Sequence, residues 1–89
     1  MSTWTPAGAA VRDDTGRTYA AASVEVDGAS VTALQLAVAT AISSGARAFE
    51  AAAVVSTDPT PDAEGLRALA VFGEVPTVIR ARPDGTVVG

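Results

Sequence analysis

The chain has 89 residues, with six Arg, ten Asp or Glu and a formal net charge of −4, and it contains no Cys, no His and no Lys. Thiolate and imidazole zinc ligands and lysine Schiff-base chemistry are therefore excluded together. The acidic balance argues against a nucleic-acid backbone as partner, and no apolar run approaches the roughly 20 residues of a membrane-spanning helix.

Hydrophobic residues make up 48% of the chain, but aromatic residues only 4%, so Ala and Val supply most of the core. A single domain of this size hides only about 60–65% of its unfolded surface. Burial gained by self-association would add to that. A cytoplasmic location is expected, with which a Cys-free chain is compatible.

Ala7 to Val11 is small and apolar, Asp13-Asp14-Thr15-Gly16 is a turn signal, and Arg17 to Val26 resumes with β-branched and aromatic residues. This predicts an opening hairpin. From Val31 the pattern becomes helical, with Val31, Leu34, Val38 and Ile42 on one stripe, Ser30 as N-cap and Gly45 just past the C-terminus. Leu36 and Ala39 lie on the opposite side, where a surface helix would carry charge, so this helix is expected to be covered on two faces.

Phe49 to Ser56 reads as a buried strand, and the prolines of Thr57-Asp58-Pro59-Thr60-Pro61 require a loop. Asp62 is the expected cap of a second helix that runs to about Phe72, with Leu66, Leu69 and Ala70 on one side and Gly73 ending it. Thr77 to Arg82 is a further strand, Pro83-Asp84-Gly85-Thr86 a tight turn, and Val87-Val88 the start of a last strand. The order β-β-α-β-α-β-β predicts an α/β layered sandwich, a mixed sheet with helices packed on it, formed by residues 1–89 as one domain.

Three stretches carry a resemblance. PAGAAVRDDTGRTYAAASVE, ALQLAVATAISSGARAFEAAAVVS, and PDAEGLRALAVFG followed by VPTVIRARPDGTVV are similar, in this order and spacing, to the opening hairpin, first catalytic helix and strand, and second catalytic helix and final strands of the cytidine deaminase family. The resemblance runs from about Pro6 to Val88. It implies a zinc-dependent fold in which a Cys or His and two further Cys hold the metal while a Glu moves protons.

Carried onto this sequence, the resemblance puts Thr32 at the first ligand position, Leu34 at the proton-shuttling Glu, and Asp62 and Gly65 at the two Cys positions after Pro61. Leu cannot exchange a proton, Gly has no side-chain donor and neutral Thr is a poor zinc ligand. Of the four, Asp62 alone could coordinate a metal. The expectation is a degenerate member that binds no zinc and no other cofactor and is not an enzyme. The family's ribose contact would fall on Ser23 and Glu25, the candidate nucleoside-binding residues. The family's N-terminal helix has no counterpart before the first strand, so some apolar sheet surface should stay open. The resemblance also implies a homo-oligomer, a dimer or tetramer, and a protein partner is compatible with the same open surface.

Other readings are weaker. Asp58 and Asp62 offer oxygen ligands for magnesium or calcium without a glycine-turn loop, and Arg80 and Arg82 alternate on one strand as an anion contact. Val75-Pro76-Thr77 resembles the proline loop of thioredoxin-like domains, whose opening order of strand, helix, strand disagrees with the hairpin here.

Overall fold

The computed structural model describes residues 7–26, 29–56 and 62–87. In chain order these form β1 (Ala7–Asp13), β2 (Thr18–Ala22), β3 (Val24–Val26), β4 (Ala29–Val31), α1 (Ala33–Ser43), β5 (Phe49–Ser56), α2 (Ala63–Leu69), a 3-10 turn (Ala70–Phe72) and β6 (Val78–Ala81). The main sheet has the order β2-β1-β5-β6, with β1 antiparallel to β2 and to β5. β6 lies parallel to β5, so the sheet is mixed, and β3 and β4 pair as a separate two-stranded hairpin. α1 packs across β1 and β2, and α2 packs against α1. This is the predicted α/β sandwich; Val87 of the expected last strand bridges antiparallel to Ala81, and Val88 lies outside the described residues.

Four local expectations are corrected. The run from Arg17 to Val26 is two strands, because the Ser23 hydroxyl turns back to accept from the Ala7 N–H at 3.0 Å and its own N–H donates to the Ala7 carbonyl. Ser30 lies in β4, and the N-cap is Thr32. The Thr32 hydroxyl accepts from Gln35 N–H and the Gln35 side chain accepts from Thr32 N–H, both at 3.1 Å, a reciprocal box that outcompetes any cap two residues earlier. Val31 therefore stands outside the helix, and Ile42 at its other end is exposed. The second helix is α-helical only to Leu69, and Leu66 and Ala70 point outward; its buried positions are Gly65 and Leu69.

The expected stops are in place. Gly45 has φ 103°, its N–H reaches the Ile42 carbonyl, and Ala46 N–H returns to the Ala41 carbonyl, both at 3.0 Å. That paired pattern consumes the carbonyls a helix end leaves free. Gly73 has φ 92° after the 3-10 turn, where Phe72 leans on Phe49 with ring centroids 5.5 Å apart.

The core lies between one sheet face and the helices. Ala9 and Val11 of β1 and Ala52 and Val54 of β5 meet Ala33, Leu34, Ala37, Val38 and Ala41 of α1 and Leu69 of α2. The opposite sheet face is also apolar. Register places Gly8 and Ala10 of β1 beside Ala22 and Ala20 of β2 on one side and beside Val55 and Ala53 of β5 on the other, with Ala81 and Ile79 of β6 beyond. Charge enters this face at its rim, where Arg12 and Glu50 approach to 3.9 Å. Ile79 is 53% and Val55 41% exposed there. A half-solvated sheet ordinarily alternates apolar with polar; this one is apolar on both sides. The outer side of α1, with Gln35, Leu36, Ala39, Ile42 and Ser43, also carries no charge, and Ala39 and Ile42 are exposed.

Candidate functional site: the junction of two helix starts

Three of the four nominated positions meet. Leu34 is the second residue of α1 and Gly65 the third of α2, so the first turns of the two helices face each other. Leu34 is fully buried, with 0% exposure. A β-carbon built on Gly65 would stand 2.7 Å from Leu34 Cβ, 2.8 Å from Leu34 Cδ2 and 2.5 Å from Asp62 Oδ2. Real carbon atoms do not approach so closely, so the isobutyl group of Leu34 occupies the space that any side chain at position 65 would enter.

The Asp62 and Thr32 side chains at the junction serve as caps of their own helices. Asp62 Oδ1 accepts from Gly65 N–H at 2.8 Å and caps α2, the role expected of it. Thr32, the fourth position, is half-buried, and its hydroxyl is engaged in the α1 cap. Glu64 in the first turn of α2 and Arg67 in its last suit the helix dipole. Beside the junction Gln35, Glu64, Arg67 and Ala68 line a shallow groove open to solvent.

Ser23 and Glu25, the candidate nucleoside contacts, lie just past the end of β2 and in β3. The Ser23 hydroxyl is engaged with the β1 backbone, and Glu25 is exposed on β3 opposite Ser30. Asp58, of the oxygen-ligand reading, lies outside the described residues, and Asp62 is a cap. Arg80 is half-buried in β6, and Arg82 N–H donates to the Thr86 carbonyl to close the final turn.

One polar cluster was not singled out from the sequence. Asp13 is 2% exposed at the end of β1, where the pairing with β5 shifts register. Its Oδ1 accepts from the Thr15 hydroxyl at 2.7 Å, Thr15 N–H at 2.9 Å and Arg17 N–H at 3.0 Å, and its Oδ2 from the Tyr19 hydroxyl at 3.0 Å. The Thr15 hydroxyl first, then the Arg17 and Thr15 N–H groups and the Tyr19 hydroxyl, hold the carboxyl below its ordinary value against the opposing push of burial. The signal was an Asp two residues before a Thr and six before a Tyr, spanning a tight turn.

The fold and junction together define the class. The chain matches the family model described as cytidine deaminase-like over residues 2–85. It belongs to the cytidine deaminase-like family, as a degenerate member without the zinc ligands and the catalytic Glu. The structure is similar to that of a cytidine deaminase from Burkholderia pseudomallei, with TM-score 0.82 and 23% identity over 94% of this chain and 72% of that one. It is similar also to cytidine deaminases from Mycobacterium leprae (TM-score 0.69, 21% identity, 94% and 73% covered) and Mycobacterium tuberculosis (TM-score 0.72, 22% identity, 96% and 72% covered). None of the curated proteins matches by sequence.

These neighbours correct one expectation. The reading that the chain is not an enzyme is contradicted by its place in the cytidine deaminase-like family, and the structures it resembles are those of cytidine deaminases. Zinc, which the family implies, nevertheless does not fit the residues at the α1–α2 junction. Of the four side chains one is absent, one is hydrocarbon and two serve as caps, and Leu34 Cδ2 stands where a ligand at position 65 would begin. Among the described residues no cluster of three or more Asp, Glu, His or Cys gathers that could hold a metal. Among them, too, no helix is long and apolar enough to cross a membrane.

Proposed function

We propose that this chain is an association module on a deaminase-type framework, pairing with a second copy of itself, as a dimer or tetramer, or with another protein. The supporting observation is the second sheet face. Ala20, Gly8, Ala10, Ala53, Val55 and Ile79 form a charge-free surface, while the described helices pack on the other side. Contiguous apolar surface of this kind is rarely left to water and marks contact with another protein. A cytoplasmic setting goes with this reading. Light scattering tests it: the wild type should have at least twice the monomer mass, and Ile79→Glu, at an exposed position, should lower the mass to the monomer while leaving the circular dichroism spectrum unchanged. A monomeric wild type would overturn self-association and leave only a different protein as the partner of this face.

A second reading is favoured by the three solved neighbours named above, each a cytidine deaminase: a pyrimidine nucleoside as ligand, with Glu25 and Ser23 as the candidate contacts. Cytidine, deoxycytidine and uridine at ~100 times the dissociation constant would stabilise a binder by about 2.7 kcal/mol. A thermal-shift series measures that, and uridine released from cytidine in the same samples measures turnover. No shift with all three would remove this reading.

A further inference from the structure

We propose that Leu34 and Gly65 form one interlocking joint, in which each residue fixes what the other can be, and that this joint ties α1 to α2 by shape at the place where the family would use a metal. The inference does not depend on the association proposed above. It starts from a residue that is out of place. Gly65 is the third residue of a short helix, where glycine costs stability relative to alanine. It is not among the glycines with positive φ, so backbone conformation does not require it. The other five described glycines all have nothing within 4 Å of an added β-carbon; Gly16, Gly45, Gly73 and Gly85 have positive φ and are explained by their turns, and Gly8 lies in β1. Gly65 is the reverse case: ordinary backbone and no room.

What fills that room on the α1 side is Leu34; Oδ2 of the Asp62 cap, at 2.5 Å the nearest single atom, lies on the chain's own side. Two of the three closest atoms are its Cβ and Cδ2, and Cβ is fixed to the α1 backbone, so a rotamer change does not clear the space. The helix starts have approached to a separation that only a glycine permits. The side-chain caps of the two first turns, the Thr32–Gln35 box of α1 and Asp62 of α2, bond within their own helices, and the facing residues Leu34 and Gly65 are buried. Leu69, one turn beyond Gly65, is fully buried in the same cluster as Leu34 and continues the contact. A side chain at 65 and a branched hydrocarbon at 34 therefore exclude one another, and restoring a donor at one position alone would break the joint.

A double-mutant cycle tests this: wild type, Leu34→Ala, Gly65→Ala and the double variant, compared by thermal unfolding. At an ordinary helix position Gly→Ala raises Tm. Here Gly65→Ala should lower it by about 5 °C or more, and in the Leu34→Ala background, where α2 gains room to move off Cβ, the same change should cost less than half as much or raise Tm. A neutral or stabilising Gly65→Ala in the wild-type background would overturn the proposal, as would equal losses in both backgrounds, since independent sites add. Should Gly65→Ala fail to fold, recovery of folding in the double variant supports the joint, and failure of the double variant beside a folded Leu34→Ala overturns it. Should Leu34→Ala fail to fold, the sign of Gly65→Ala decides alone.

Discussion

The Tyr19 hydroxyl donates to Oδ2 of Asp13 at 3.0 Å, joining the two strands of the first hairpin at the end opposite Ser23. Together with the three donors on Oδ1 it surrounds a nearly buried carboxylate with partners that favour its ionised form.

Asp13 gives the fold a pH dependence of known sign. Its carboxyl titrates below the ordinary range in the folded chain, chiefly through the Thr15 hydroxyl. The native state thus binds fewer protons than the unfolded one, and the contribution is fully present above about pH 4 and lost as pH falls below that through the depressed native value. Denaturant titrations at pH 7 and at pH 3 should show a smaller acid loss for Asp13→Asn than for wild type. An unchanged acid loss would show that Asp13 is not the group responsible.

Thr32→Ala should destabilise the chain by about 1 kcal/mol, the usual worth of an N-cap, or roughly 4–8 °C in Tm. Thr32→Ser keeps the hydroxyl that accepts from Gln35 N–H and should melt close to wild type. Equal melting of the two variants would mean the cap contributes nothing measurable.

Leu34→Glu would bury a carboxylate beside the Asp62 carboxylate, where the Thr32 hydroxyl and Asp62 Oδ1 are already engaged in the helix caps. A loss of several kcal/mol at pH 7 is expected, with partial recovery at pH 4–5 as the acid becomes neutral. Leu34→Met, which conserves volume, should cost under about 1.5 kcal/mol. Urea unfolding at the two pH values reads both; a Leu34→Glu chain as stable as wild type at pH 7 would mean that water reaches the junction.

Much of this architecture is legible from local chemistry. The turn at Asp13–Gly16, the stops at Gly45 and Gly73 and the Asp62 cap depend on one or two residues whose backbone preferences are strong, and each is where the sequence places it. The start of α1 is not, because Ser30 and Thr32 are equally good caps in isolation and only the Gln35 side chain, three residues after Thr32, decides between them. Ser23 ends a strand by a bond to Ala7, sixteen residues away, and nothing local announces it. The junction was legible as a set of missing donors. That Leu34 stands within 2.7 Å of where a β-carbon at Gly65 would be is a property of the distance between two helices.

The account turns on a junction closed by hydrocarbon, so the most direct measurement is the thermal unfolding of the purified chain with added zinc and with a strong chelator, alongside its zinc content. A metal bound to the native state would raise Tm with zinc and be lost to chelation. The account predicts one Tm under both conditions and no stoichiometric zinc. One zinc per chain, with a Tm that falls when it is removed, would contradict it.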